Sequence, residues 1–260
     1  MPPSWGAGGL LHPARRTLSV ERPAEAREVT ITGAGPPLRG WFFRNPAGSR
    51  GTLVYLHGSA DNRTSGLSIA RRFLARGFDV LAYDSRAHGA SEGDACTYGY
   101  FEKEDLTRAL DAVEARRVVL FGVSLGAAVA LQAAPVEPRI AGLVAVATFA
   151  DLRSVAMERA PFFASAAQIE EAFRLAERRA RFEVDAVSPV RAAADIRVPV
   201  LLVHGAADRE TSAQHSRRVF EALPGGRKRL LLVPGAGHND ALRPEVWTAV
   251  DEWLDAALGP

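Results

Sequence analysis

The sequence has 260 residues, of which 47% are hydrophobic and 24% charged, with a formal net charge of +2. This length and composition can bury the core of one domain, and because its arginines are spread along the chain rather than clustered, nucleic acid is not an expected partner. The one cysteine, Cys96, excludes an intramolecular disulfide and a thiol-rich metal cluster.

Residues 1–27 are expected to form an N-terminal extension of a single domain that spans residues 28–260. The first sixteen residues contain only one apolar pair, Leu10-Leu11, which predicts no signal-peptide core. No apolar run approaches the roughly 20 residues that a membrane span requires, so we expect a cytoplasmic protein without such a span. The segment 9–13 is consistent with either a surface tether on the domain or a disordered stretch.

The chain then predicts an antiparallel start followed by alternating strands and helices. The first two strands are expected at 27–32 and 38–44, joined by the Gly/Pro-rich turn 33–37. Later strands are expected at 52–56, 78–83, 117–121, 140–147, 199–203 and 228–233, and helices at 64–76, 101–116, 124–134, 213–223 and 244–257. Repeated βα units of this kind predict an α/β fold with a mostly parallel sheet flanked by helices.

The stretch Gly122-Val123-Ser124-Leu125-Gly126 places one serine between two glycines, after an apolar strand and before an alanine-rich helix. Strand, sharp turn and helix in that order are typical of a nucleophile elbow, in which crowding requires glycine on either side of the serine. We therefore predict Ser124 as the catalytic nucleophile. The backbone N–H of Leu125, at the helix N-terminus, is expected to stabilise an oxyanion.

A serine nucleophile requires a base and a carboxylate that orients the base. Of the six histidines, only His238 lies in a late polar loop after a strand, and we predict it as the base. The preceding strand ends in a turn that carries Asp208, the predicted acid. Asp151 is the rival acid, since it follows the strand after the elbow helix. His57 and His204 begin His-Gly turns, where an imidazole usually bonds loop backbone, so no metal site is expected.

Residues 148–188 interrupt the alternation and are too long for a loop. Apolar residues recur there at helical spacing, so the segment predicts a helical cap over the serine. Phe162 and Phe163, at its front edge, are candidates to line an acyl pocket or to form the core of the cap.

Together these motifs resemble the α/β-hydrolase superfamily, of the serine esterase and serine aminopeptidase-like kind. The resemblance covers about residues 29–258 and rests on the elbow, on Gly237-His238, and on the segments His57-Gly58-Ser59-Ala60, 82–93 and 204–208. It implies an eight-stranded, mostly parallel sheet with a helical cap, the chain order nucleophile, acid, base, and the backbone N–H of Ser59 as the second oxyanion donor. The chain departs from the family in that its cap is short, and after Asp208, where it reads Arg209-Glu210-Thr211-Ser212 rather than Val-Pro.

These features predict a serine hydrolase that cleaves a carboxylic ester with a small to medium acyl group through an acyl-enzyme. Its expected partner is a small-molecule acyl substrate, and no cofactor is expected. Two alternatives remain: an aminopeptidase-like amide hydrolase, in which Glu158, Glu170 and Glu171 would bind a substrate ammonium, and a catalytically silent scaffold. The sequence leaves open the oligomeric state and whether water or another acceptor receives the acyl group.

Overall fold

The computed structural model describes residues 2–259, and one eight-stranded sheet runs through it in the order β1-β2-β4-β3-β5-β6-β7-β8. The strands are β1 (Ala26–Ile31), β2 (Leu38–Phe43), β3 (Thr52–Leu56), β4 (Asp79–Tyr83), β5 (Val118–Val123), β6 (Ile140–Val146), β7 (Val200–Gly205) and β8 (Lys228–Val233). Strand β2 pairs antiparallel with β1 and β4, and all other pairings are parallel. The predicted antiparallel start and parallel remainder are both confirmed.

Helices cover both faces of the sheet, which explains why every residue of β3, β4 and β7 is buried. The helices are α1 (Pro3–Leu11), α2 (Leu67–Ala75), α3 (Glu102–Ala112), α4 (Leu125–Ala133), α5 (Leu152–Glu158), α6 (Ala166–Ala180), α7 (Pro189–Ala193), α8 (Ala213–Ala222) and α9 (Pro244–Leu258). Short 3₁₀ turns occupy Arg63–Gly66 and Val184–Ala186. Within residues 2–259, no helix has both the length and the hydrophobicity that a membrane span needs.

The helix predicted at 64–76 begins instead as a 3₁₀ turn. The side chain of Asn62 accepts hydrogen bonds from the backbone N–H and the hydroxyl of Thr64, at 3.0 and 2.6 Å, and so caps the turn. Asparagine favours such local caps over a continuing helix. The regular helix α2 therefore starts only at Leu67.

The N-terminal extension contains helix α1, which packs against α6 of the cap. Ala7 and Leu11 are fully buried in this contact. The Leu11 carbonyl accepts a hydrogen bond from the Cys96 amide at 2.9 Å, and the Tyr98 hydroxyl donates to the Leu10 carbonyl at 2.9 Å. The sequence left open a surface tether or a disordered stretch for this segment, and in the structure it is packed on the domain.

Helices α5 and α6 lie within the segment predicted as a cap. Helix α6 begins with a capping box, in which the Ser165 side chain accepts from the Gln168 amide and the Gln168 side chain accepts from the Ser165 amide. Its buried face carries Ala172, Phe173 and Ala176, three of the residues whose spacing indicated an amphipathic helix. The cap therefore buries one apolar stripe and exposes its charged residues.

Candidate active site

Ser124 lies at the turn between β5 and α4 with φ 51° and ψ −110°, a conformation that is strained for any residue with a side chain. A Cβ atom on Gly126 would lie 2.0 Å from the Leu56 carbonyl oxygen, and one on Gly122 would lie 2.3 Å from the Gly126 carbonyl oxygen. Only glycine fits at either position. The close approach of β3, β5 and α4 holds the serine in its strained turn.

Three loops bring the predicted nucleophile, base and acid together. Nε2 of His238, in the loop after β8, lies 3.0 Å from Oγ of Ser124. Nδ1 of His238 lies 2.6 Å from Oδ2 of Asp208, in the loop after β7. A histidine held by a carboxylate on one nitrogen and facing a hydroxyl with the other is the arrangement in which the imidazole can accept the hydroxyl proton.

The Asp208 carboxylate is fully buried and hydrogen-bonded through both oxygens. Its Oδ1 accepts from the amides of Glu210 and Thr211, at 2.8 and 2.9 Å. Burial by itself raises the pKa of this carboxyl, but the hydrogen bonds from His204 and His238, and from the Thr211 amide, outweigh it and hold the pKa well below its usual range. Asp208 therefore stays charged and can orient His238.

His204 is a buried partner of the acid that the sequence reading assigned only to loop backbone. Its Nε2 lies 2.9 Å from the Thr211 carbonyl and 3.2 Å from Oδ2 of Asp208, and its Nδ1 lies 2.7 Å from the Ser216 hydroxyl. These contacts assign the proton to Nε2, which donates to the Thr211 carbonyl and also faces Oδ2 of Asp208, while Nδ1 accepts from Ser216. In the sequence, His204 stands at the end of β7, four residues before Asp208, and this position was the signal that could have indicated its contact with the acid.

The two predicted oxyanion donors flank the serine. Leu125 opens helix α4, and Gly58 brings the loop after β3 close enough that a Cβ atom on it would lie 3.6 Å from the Ser124 Cβ. Among residues 2–259, the backbone amides of Ser59 and Leu125 have no hydrogen-bond acceptor. Both N–H groups are therefore free to bind an oxyanion near Ser124.

His57 fixes the peptide that carries the Ser59 amide. The Ser85 amide donates to its Nε2 at 3.0 Å, so its Nδ1 carries the proton and donates to the Gly58 carbonyl at 2.7 Å. Burial lowers the pKa of His57 and keeps the ring neutral. In a trans peptide the carbonyl and the following N–H point in opposite directions, so the bond to the Gly58 carbonyl turns the Ser59 N–H away from His57.

Asp151, the rival acid, has a different environment. Its side chain caps α5 by accepting from the Ser154 amide at 2.8 Å, and it pairs with Arg218 at 2.8 Å. His238 contacts Asp208 instead. The structure therefore gives Asp151 a role at a helix terminus.

A cavity of about 390 Å³ opens beside the oxyanion loop, where Ser59 and Ala60 form part of its lining. Its other walls come from α1, α5 and α6 and are mostly apolar. Among the described residues, Arg159 is the one charged side chain in the lining, and its Nε donates to the Glu210 carbonyl at 3.0 Å. The cavity thus offers an apolar ligand a binding space beside the loop that carries the Ser59 amide.

Phe162 and Phe163 neither line this cavity nor lie in the core of the cap, which corrects both roles expected for them. The Phe162 side chain is fully exposed and that of Phe163 is 63% exposed. Both follow Pro161 in the short turn between α5 and α6, where they contact each other with ring centroids 5.4 Å apart. Phe173 of α6 and Trp5 of α1 are the aromatic residues that face the cavity together with Tyr98.

Comparisons with known proteins agree with this architecture. The chain is 29% identical over 230 residues to the uncharacterized protein YfhR of Escherichia coli (strain K12), covering 84% of this chain and 75% of that protein. It is 30% identical over 224 residues to the uncharacterized protein Rv2307c of Mycobacterium tuberculosis, covering 84% and 74% of the two chains.

Among solved structures, the esterase Pf2001 of Pyrococcus furiosus matches with a TM-score of 0.78 at 24% identity, over 95% of this chain and all of that one. At this identity the match shows the fold. The model of the alpha/beta hydrolase family matches residues 53–250, which include β3 from its second residue, the elbow and the loops that carry Asp208 and His238. The chain therefore belongs to the alpha/beta hydrolase family.

Proposed function

We propose that this protein is a serine hydrolase that cleaves carboxylic esters with a small to medium acyl group. In the first step neutral His238 accepts the Ser124 proton as Oγ attacks the acyl carbonyl, and Asp208 holds the imidazole and stabilises its cationic form. The amides of Leu125 and Ser59 bind the tetrahedral oxyanion. His238 then protonates the leaving alcohol, and water attacks the acyl-enzyme by the same route.

The observation that carries this proposal is the contact of His238 with Ser124 at 3.0 Å and with Asp208 at 2.6 Å. These distances lie within the range that proton transfer requires. The strained turn holds the Ser124 hydroxyl close to the backbone amides of Leu125 and Ser59, which supports acyl transfer over other reactions. The name of the esterase Pf2001 agrees with this reaction class.

An apolar cavity supports an ester substrate over the aminopeptidase alternative. An aminopeptidase needs free carboxylates to bind a substrate ammonium, but Glu170 pairs with Arg153 at 2.6 Å and Glu171 with Arg174 at 3.2 Å. Glu158 accepts a hydrogen bond from His215 at 3.0 Å. Among the described residues, no carboxylate lines the cavity.

The experiment that tests this function is labelling with a fluorophosphonate, followed by peptide mapping, on the wild type and the Ser124→Ala and His238→Ala variants. We expect labelling at Ser124 that both substitutions abolish, together with hydrolysis of p-nitrophenyl butyrate by the wild type only. A folded wild-type protein that neither labels nor hydrolyses the ester would overturn the proposal and favour the scaffold alternative.

A further inference from the structure

One face of helix α1 forms part of the cavity wall. Trp5, Gly6, Gly9 and Leu10 line the cavity, and Pro13 continues the same side just after the helix. The spacing of these positions matches one face of an α-helix. The N-terminal extension therefore contributes directly to the space beside the oxyanion loop.

The opposite face of α1 fixes the helix to the domain. Ala7 and Leu11 are buried against the cap, and the Leu11 carbonyl accepts a hydrogen bond from the Cys96 amide. Beyond the helix, Nη1 of Arg15 donates to the Ser91 carbonyl at 2.5 Å, and Asn62 donates to the Arg16 carbonyl at 3.3 Å. With these contacts the wall keeps a defined position relative to Ser59.

Helix α1 lies outside the segment that matches the family model, which spans residues 53–250. The nucleophile, acid and base all lie inside that segment. The wall that α1 supplies is therefore not part of the core that the family model describes, whereas the reacting groups are. The selectivity for substrate can therefore depend on the wall that α1 supplies without any change in the reacting groups.

Two neighbouring glycines of α1 differ in what they face. A Cβ atom placed on Gly8 or on Gly9 would meet no other atom within 4 Å. Gly9 lines the cavity, whereas Gly8 does not. Gly9 is exposed where it lines the cavity, so a larger side chain there would narrow the cavity at its solvent edge, whereas one at Gly8 would lie outside the lining.

We propose that α1 sets the length of the acyl chain this protein accepts, and that the space left by Gly9 binds the far end of an unbranched apolar acyl group. The cavity of about 390 Å³ has room for several apolar groups in a row. The substrate class is thus an ester of a medium-chain fatty acid. This inference rests on the proposed hydrolase function.

The test compares Gly9→Leu with the matched control Gly8→Leu on p-nitrophenyl esters from acetate to decanoate. Leucine favours a helix more than glycine does, so neither change should unfold α1. We expect Gly9→Leu to lower kcat/KM for the decanoate ester roughly 10- to 100-fold, as for the loss of room for a few methylenes, while acetate hydrolysis stays within about twofold. Gly8→Leu should leave the whole series unchanged. An unchanged chain-length profile in Gly9→Leu would overturn the inference.

Calorimetry of decanoate binding to the Ser124→Ala protein tests the cavity without requiring turnover. We expect Gly9→Leu, combined with Ser124→Ala, to weaken binding at least tenfold and Gly8→Leu to leave it unchanged. If the wild type cleaves no ester but this pattern of binding holds, the proposed function fails and the acyl-binding role of α1 stands. If decanoate does not bind, or binds equally to both variants, the acyl-binding role fails even where short esters are cleaved.

Discussion

Nε2 of His204 lies 3.2 Å from Oδ2 of Asp208, the same oxygen that contacts Nδ1 of His238 at 2.6 Å. One buried carboxylate oxygen thus receives two imidazoles, and only one of these also faces the serine. The geometry makes His204 a positioning residue for Asp208.

His204→Phe should lower kcat for a short ester about 10- to 100-fold and leave KM nearly unchanged, because a hydrogen bond to a charged group contributes about 1.5–3 kcal/mol. His204→Gln, which keeps a side-chain N–H donor, should retain more activity. Steady-state kinetics on both variants, with circular dichroism to establish folding, provide the measurement. A folded His204→Phe protein with wild-type kcat would show that Asp208 needs no support from this side.

Asp208→Asn should reduce kcat by about 10³- to 10⁴-fold, because the amide cannot stabilise the cationic form of His238. Asp151→Asn should leave kcat within about twofold, since Asp151 caps α5 and pairs with Arg218. Asp151→Ala, which removes the capping oxygen that asparagine keeps, should also leave kcat nearly unchanged but lose roughly 1 kcal/mol in the free energy of unfolding. The reverse pattern of kinetic losses would assign the acid to Asp151.

Gly126→Ala should abolish fluorophosphonate labelling of Ser124, because the added methyl group would lie 2.0 Å from the Leu56 carbonyl oxygen. The elbow must then either deform or not form. Gly225→Ala is the control, since a Cβ atom there meets nothing within 4 Å, and it should label like the wild type. Normal labelling of Gly126→Ala would mean that the elbow does not require this close approach.

The stability of the protein should fall as the pH drops from about 6.5 to 4, because His88 is buried and neutral. The pKa of His88 is lowered to about 4, mainly by burial. The neighbouring His57, whose ring centroid lies 5.1 Å from that of His88, contributes to the same lowering. The unfolded chain binds this proton near pH 6.5, so protonation favours unfolding below that pH. The contribution of neutral His88 to the free energy of unfolding is present above pH 6.5 and is lost as the pH falls toward 4.

Replacing His88 by phenylalanine should flatten this dependence by up to about 3 kcal/mol between pH 6.5 and 4, given 1.36 kcal/mol for each pKa unit. Urea unfolding of the wild type and of His88→Phe at several pH values measures it. Equal slopes in the two proteins would show that another group carries the dependence.

The sequence predicted those features of the fold and site that local chemistry determines. The glycines around Ser124, and the apolar strands that precede Asp208 and His238, follow from short-range steric and hydrophobic patterns. These patterns led to the mostly parallel sheet and to the three residues that the structure brings together. The boundary at Leu67 was missed because a single capping side chain, Asn62, decided it.

The pocket could not be predicted in the same way, because its walls come from segments far apart in the chain. Phe162 and Phe163 were assigned to it by their aromatic character and by their place in the cap. Whether a cap residue faces inward depends on how α5, α6 and α1 pack together, and no local pattern near Phe162 encodes that packing. Trp5 was not considered, since it belongs to an extension whose structure the sequence left open.

The single thiol of the chain, Cys96, can report on local opening of the structure. The Cys96 thiol is fully buried in the core, and burial raises its pKa, so it reacts slowly with alkylating reagents in the folded protein. Because Cys96 is the only cysteine of the chain, its rate of modification by a thiol dye, with no engineered label, would record each opening of the structure that exposes this strand-to-helix loop. The rate of thiol modification would thus measure how often the core around Cys96 opens.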